Sequence, residues 1–226
     1  PNIMSQNKTN FAVPLAFVGM MFFAIGFALG INSFLIPVLK GALSLPSGVA
    51  YLLLAATFVP FLIFGYPASA TIAKIGYKRT MALSFLIFAV AFILFVLSAK
   101  LENFILFLIA SFVSGAANAY LQASVNPYIT ILGPIESAAK RMSIMGICNK
   151  LAWPVAPLFF ALVVADQTNV QTSDLYLPFY IIIGVFLLLG IISLMAPLPE
   201  VKAAGEDESD TANCPYAANK TSIWPV

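Results

Sequence analysis

Long apolar runs, separated by short polar stretches, account for most of the chain. Six runs are near or above the roughly 20 apolar residues that a helix needs to cross about 30 Å of hydrocarbon. They cover residues 11–39, 49–73, 80–99, 103–131, 142–165 and 176–196. This pattern predicts an all-α membrane protein with six transmembrane helices and short connections between them.

The composition favours a membrane protein and excludes most enzyme classes. Of the 226 residues, 61% are hydrophobic and only 9% are charged, whereas about 25% of residues are charged in soluble domains. The absence of histidine removes the commonest general base and the commonest metal ligand, and no aspartate lies in a predicted span. We therefore expect no catalytic residues, no metal site, no cofactor and no enzymatic activity. The net charge of +2 arises mainly from short connections, so it does not indicate nucleic-acid binding.

Basic residues are distributed unequally between the two sides of the predicted membrane region. Eight lie on the side of both termini, and two, Lys40 and Lys100, lie on the opposite side. Short cytoplasmic loops are enriched in lysine and arginine, so we expect both termini in the cytoplasm. Residues 1–10 would then form a tail, residues 11–199 the membrane region and residues 200–226 a polar linker or tail. Because apolar character returns at the end of the chain, we expect a second membrane half to follow.

A stripe of polar residues marks the fourth run. Ser111, Ser114, Asn118, Gln122 and Asn126 recur at steps of three, four, four and four, which places them on one face of a helix. Unsatisfied amides are costly in hydrocarbon, so this face must contact protein or water. We expect the two serines to pack against other helices and the three amide residues to approach a binding site.

Lys150 is the one basic residue inside a predicted span. A charge at the centre of a membrane helix costs about 2.5–3.5 kcal/mol on insertion scales, and none of the six spans contains an acidic partner. Two interpretations remain open. Lys150 either extends along its own stem to the interface or faces a polar cavity, with Asn149 and Trp153 on the adjoining edge.

Small residues on the first run point to close helix packing and to an internal repeat. They recur on one face, with Asn32 at its edge, at Gly19, Gly26, Gly30, Ser33 and Pro37. Small residues let helix backbones approach closely. Gly26 precedes Ser33 by seven residues, as Gly115 precedes Gln122 in the fourth run. Such an echo is typical of a three-plus-three inverted repeat.

Several motifs occur together around these faces. The fourth run and its neighbours contain Leu121-Gln122, Asn126-Pro127-Tyr128 and Leu132-Gly133-Pro134, followed by Arg141 and Asn149. The first run contains Asn32 with Leu35-Ile36-Pro37, and the loop after the second run contains Lys74-Ile75-Gly76-Tyr77-Lys78-Arg79. Together they resemble the N-terminal half of a sugar transporter of the major facilitator superfamily, in its fucose–galactose–glucose:proton symporter branch. The acidic residue of that family's loop is absent, and Ala73 stands there.

The resemblance implies a fold of twelve spans in two six-helix halves, with the sugar between the halves. This chain would be one half, built as a three-plus-three inverted repeat. Spans one and four would line the path, and span five would add polar contacts. Together with the polar pattern, this predicts that the substrate is bound by Asn32, Ser33, Asn118, Gln122, Asn126, Asn149 and Lys150.

Two positions depart from the family pattern. The family carboxylates that take part in proton coupling correspond to Ser33 and Gln122 in this sequence. Serine and glutamine donate and accept hydrogen bonds but do not titrate, so sugar recognition would survive without the usual proton mechanism. Three alternatives remain open: Lys150 as a substitute titrating group, coupling to a sodium ion through oxygen ligands, and uncoupled transport.

The sequence thus predicts secondary active transport of a hexose of the glucose, galactose or fucose type by alternating access. The location would be the bacterial plasma (inner) membrane, with the lipid bilayer, a coupling proton or sodium ion and a C-terminal six-helix half as partners. The alternative is a stand-alone six-helix substrate-binding subunit of a multicomponent transporter, which requires the coding sequence to end at Val226. A channel or a voltage sensor is disfavoured, because there is a single Asn-Pro signal and both arginines fall between the predicted spans rather than inside one.

Overall fold

A computed structural model describes residues 12–132, 135–164 and 171–196. The predicted tails, residues 1–10 and 200–226, lie outside the described residues. The described part is helical and contains no strand. The helices are α1 (Ala12–Ala42), α2 (Ser47–Ala50), α3 (Leu52–Ile63), α4 (Gly65–Ile75), α5 (Tyr77–Leu101), α6 (Phe104–Ile131), α7 (Ala138–Val163) and α8 (Tyr176–Met195).

The membrane spans agree with the predicted runs. Five helices are long and apolar enough to cross a membrane, and a sixth span results when the bent α3–α4 segment is counted as one. Two short 3-10 turns, Ile135–Ser137 and Thr172–Leu175, precede α7 and α8. The all-α prediction with six spans is therefore confirmed, with the ends of α5 to α8 within four residues of the expected ones.

The second span differs from its prediction because it is bent. The sequence pattern predicts one continuous helix over residues 49–73, but the chain turns by 54° between α3 and α4, at Phe64. Pro67 explains the break. It has no N–H to donate to the Ile63 carbonyl, and its ring would clash with that carbonyl in a continuous helix.

The helices pack in pairs around an aromatic core. α1 lies mainly against α7, while α6 lies between α5 and the α3–α4 segment, and α5 also packs on α8. Between α5 and α8, the rings of Phe92 and Phe95 stack on Phe179, and Phe186 packs against Phe88 and Phe92. These ring contacts hold α5 and α8 together. The polar residues of interest lie on the other helices α1, α6 and α7.

Two glycines allow the closest approaches between helices. A Cβ atom at Gly26 would lie 2.0 Å from the Asn149 carbonyl oxygen of α7, and one at Gly115 would lie 2.0 Å from the Thr57 carbonyl oxygen of α3. Only a residue without a side chain fits such contacts. An inverted repeat equates spans one and four and spans two and five, so the α1–α7 pair corresponds to the α6–α3 pair. The paired glycines agree with the predicted repeat.

Candidate functional site

A cavity of about 340 Å³ lies where α1, α6 and α7 meet. Small-molecule pockets span roughly 300–1,000 Å³, so this space is large enough for a small ligand. Its wall combines three apolar residues from α1 with polar residues from α6 and α7. The lining residues are Phe22, Ile25, Leu29, Gln122, Asn126, Met142, Gly146, Asn149 and Lys150.

A second concavity has a different character. It has a volume of about 310 Å³ and lies between α1, α7 and α8. All of its lining residues are apolar, among them Phe23, Phe27 and Phe159. It provides no hydrogen-bonding group for a polar ligand, and its surface suits contact with lipid. The cavity between α1, α6 and α7 is therefore the candidate functional site, and we call it the polar cavity.

Gln122 and Asn126 form the α6 side of the polar cavity. They are four residues apart, so they lie one turn from each other on the same face, and both are half-buried. Within the part of the chain that the structure describes, neither side-chain amide has a hydrogen-bond partner. Each amide offers two N–H donors and a carbonyl acceptor. The two residues are thus available for a ligand with hydroxyl groups.

Asn149 connects the α7 side of the polar cavity to α1. Its Nδ2 donates a hydrogen bond to the Phe22 carbonyl oxygen at 3.3 Å, while Gly26 packs against its backbone. The second N–H and the amide oxygen of Asn149 take no part in this bond, so both can bind a ligand. The contact with α1 holds this amide in place, which lowers the entropy lost when a ligand binds.

Lys150 lines the polar cavity next to Asn149 and is exposed. Its Nζ lies 5.5 Å from the centroid of the Trp153 ring, a distance at which a cation is attracted to an aromatic face. Both residues are on α7, one turn apart. Of the two interpretations left open by the sequence, the structure favours the one in which Lys150 borders a cavity.

Asn32 and Ser33 lie outside the polar cavity. Asn32 is buried, with its Oδ1 accepting a hydrogen bond from Ser111 Oγ at 3.1 Å and its Nδ2 donating to the Ala28 carbonyl oxygen at 3.3 Å. These bonds join α1 to α6 and occupy most of the amide. Ser33 is half-buried and donates to the Leu29 carbonyl oxygen. It lies one turn beyond the cavity-lining Leu29 on α1.

Asn118 also lies outside the cavity lining, one turn from Gln122 on α6. Asn118 and Ser114 are both fully buried. No residue in the described ranges hydrogen bonds to Ser114 Oγ or to either amide atom of Asn118. Buried amides in proteins are almost always paired. Along α6, Asn118 lies between Ser111, which bonds to Asn32, and Gln122, which lines the polar cavity.

The amino-acid sequence matches the Major Facilitator Superfamily over residues 17–224. The chain belongs to this superfamily. The match covers nearly all of the sequence, including every residue that lines the polar cavity. Membership in this family and the apolar helices together make the protein a multi-pass membrane protein.

Individual relatives carry transporter names. The chain is 31% identical to a glucose/galactose transporter of Brucella abortus biovar 1 (strain 9-941), over 90% of this chain and 50% of the relative. It is 23% identical to the L-fucose-proton symporter of Escherichia coli (strain K12), over 95% of this chain and 53% of the relative. The chain thus spans about half the length of the curated relatives it matches. These relatives are named as transporters rather than enzymes, which agrees with the function class that the sequence predicts.

A solved structure confirms the fold. The chain resembles the crystal structure of a superfamily transporter, FucP, in the outward conformation, with a TM-score of 0.73 and 23% identity. The likeness covers 88% of this chain and 53% of that structure. The predicted fold, one half of a major facilitator fold, is therefore confirmed. The glucose/galactose transporter and the L-fucose-proton symporter are relatives of the kind that the resemblance predicted.

The sequence did not predict that apolar residues of α1 line the polar cavity. Phe22, Ile25 and Leu29 recur at steps of three and four on α1, the spacing of one helix face. In a membrane helix, however, an apolar face is equally suited to lipid and to a cavity wall. The spacing therefore carried no signal that these residues line a site.

Proposed function

We propose that this chain forms the N-terminal half of a secondary transporter that carries a hexose of the glucose, galactose or fucose type. A C-terminal six-helix half of the same transporter would provide the opposite wall, and alternating access would expose the sugar to each side in turn. The relatives' names and the half-length match support this proposal. The polar cavity is the structural observation that carries it.

The lining of the polar cavity suits an uncharged ring with several hydroxyl groups. Gln122, Asn126 and Asn149 supply both donors and acceptors, and each sugar hydroxyl needs one or both. Phe22 and Leu29 add apolar surface from α1 to the same lining, against which the C–H face of a sugar ring can pack. A few polar groups in a mainly apolar pocket are typical of small-molecule sites.

We further propose a bacterial plasma-membrane location with both termini in the cytoplasm. The unequal distribution of basic residues supports this orientation, because cytoplasmic loops are enriched in lysine and arginine. For the coupling, the alternatives are Lys150 as a substitute titrating group, a sodium ion held by oxygen ligands, and uncoupled transport. In the described part of the membrane helices there is no carboxylate beside the polar cavity to bind a proton.

Uptake into vesicles tests the proposed function. The full-length protein would be reconstituted and supplied with a panel of hexoses, with pH and sodium concentration varied independently. We expect saturable uptake of at least one hexose, and competition by those that share its configuration. Absence of both binding and uptake for every hexose in the panel would reject the proposal.

A further inference from the structure

The polar cavity has an unbalanced charge. Lys150 is the one charged residue among those that line it. The described acidic residues lie at helix ends or in turns: Glu102 follows α5, while Glu136 and Asp174 belong to the 3-10 turns before α7 and α8. Within the described residues of this half, the wall therefore has one positive charge and no opposite charge beside it.

The Lys150 ammonium group is placed to meet a ligand. The side chain is exposed rather than packed into the protein, and its Nζ atom lies 5.5 Å from the centroid of the Trp153 ring. An ammonium group has three N–H donors and no acceptor, so contact with the ring face leaves donors free. Gln122, Asn126 and Asn149 line the same space. A ligand held by these amides is thus within the region that Lys150 borders.

A carboxylate on the sugar would balance this charge. When a bound sugar excludes water from the cavity, the Lys150 charge becomes costly unless it is paired, and hydrogen bonds to a charged group are roughly twice as strong as neutral ones. A neutral hexose satisfies the amides but leaves the ammonium without a counter-charge. One ammonium group balances the single charge of a carboxylate.

We propose that Lys150 is a carboxylate-binding residue, so that the polar cavity binds a hexuronate more tightly than the neutral hexose of the same configuration. This inference rests on the proposed function, because the amides must hold the sugar ring. It specifies the substrate class as hexose acids with one carboxylate. Lys150 would contact the carboxylate, and Gln122, Asn126 and Asn149 would contact the ring hydroxyls.

Competition binding on the purified full-length protein tests this specificity. D-glucuronate and D-galacturonate would be compared with D-glucose and D-galactose at constant ionic strength, with D-glucuronamide as the uncharged match for the acid. We expect each acid to bind at least about tenfold more tightly than its neutral counterpart, which corresponds to about 1.4 kcal/mol. The amide should bind like glucose.

The outcomes separate this inference from the proposed function. If neutral hexoses bind and the acids bind equally or more weakly, the carboxylate site is wrong and the hexose transporter stands. If the amide gains as much affinity as the acid, the preference comes from shape rather than charge, and the inference is again wrong. If neither neutral hexoses nor acids bind, the proposed function fails.

Variants assign the effect to Lys150. Lys150→Met keeps a long side chain without the charge, so the ratio of the affinity for each acid to the affinity for its neutral counterpart should fall from at least about tenfold to about one. Lys140→Met is the matched control, because Lys140 is exposed in the first turn of α7 and does not line the polar cavity. A folded Lys150→Met protein that retains the preference overturns the inference. The comparison of acid, amide and neutral sugar remains decisive even if this variant does not fold.

Discussion

Ser111 and Gln122 lie on the same face of α6 but contact different surroundings. Ser111 donates a hydrogen bond to Asn32 of α1, whereas Gln122 borders the polar cavity. Asn118, between them, is buried without a partner among the described residues. The difference arises because α1 approaches α6 closely at Asn32 and leaves a space beside Gln122. Residues of one polar stripe thus divide into those that pack between helices and those that border the polar cavity.

Substitution of the cavity residues should lower hexose affinity, whereas substitution of Ser111 should lower stability. Gln122→Ala and Asn149→Ala each remove a group from the cavity wall, so we expect hexose affinity to fall about fivefold to tenfold, as for the loss of about 1 kcal/mol of hydrogen bonding. Ser111→Ala should leave affinity unchanged and lower the unfolding temperature slightly, since bonds between membrane helices are worth about 0.6 kcal/mol. Binding isotherms and thermal unfolding of the full-length protein measure both. Equal, negligible losses of affinity in all three variants would reject the proposed wall.

Arg141 stabilises the end of α6 from the start of α7. Its Nε donates to the Ile129 carbonyl oxygen and its Nη2 to the Thr130 carbonyl oxygen, each at 3.0 Å. These carbonyls lie in the last turn of α6, where no intrahelical partner exists. A planar guanidinium can bond several carbonyls at once, which a lysine ammonium cannot do with the same geometry.

Arg141→Lys should therefore destabilise the protein. Hydrogen bonds from a charged group contribute about 1.5–3 kcal/mol, and we expect a loss near the lower limit because lysine retains one contact. Thermal unfolding measures the change, with Lys140→Arg as the control at an exposed neighbouring position. An unfolding temperature equal to that of the native protein would show that these bonds contribute little.

Close packing of α1 on α7 and of α6 on α3 depends on the two glycines described above. In both pairs a glycine faces a carbonyl oxygen of the partner helix, and the two pairs correspond under the inverted repeat. The bend that Pro67 causes in the second span also affects packing on α6, because α3 and α4, on either side of the bend, both contact α6. Helix packing in this half therefore depends on positions where a side chain or a backbone N–H is missing.

Adding a methyl group at these glycines should loosen the packing. In Gly26→Ala and Gly115→Ala the new Cβ would lie 2.0 Å from a carbonyl oxygen, and such overpacking costs about 1–3 kcal/mol. We expect a lower unfolding temperature in both variants. Gly184→Ala on α8 is the control, because its Cβ meets no atom within 4 Å and alanine favours helices. Similar unfolding temperatures for all three variants would contradict the role of the glycines.

The chain as a whole corresponds to about half of the transporters it matches. Its polar cavity is lined by amides and a lysine, and the described membrane helices carry no carboxylate beside it. A hexose can be held by such groups without any change of protonation. Under the proposed function, this half would therefore bind the sugar without proton transfer.

Sugar-driven proton movement should accordingly be weak or absent in vesicles that contain the full-length protein. Ser33→Asp combined with Gln122→Glu introduces two titratable groups on α1 and α6, and we expect it to increase alkalinisation of the medium on sugar addition. A pH electrode or an external pH dye measures the change, with a protonophore as the control. Strong alkalinisation by the native protein that persists in Lys150→Met would contradict this prediction.

The sequence determined the number of spans, the all-α fold and the polar faces of α6 and α7, because hydrocarbon requires long apolar runs and confines amides to protein-facing positions. Tertiary structure decided what each polar residue meets. Asn32 accepts a hydrogen bond from Ser111, 79 residues away in the sequence, whereas Gln122, Asn126, Asn149 and Lys150 line one cavity. Helical periodicity assigns a residue to a face, but the distance to the neighbouring helix decides whether that face is packed or open.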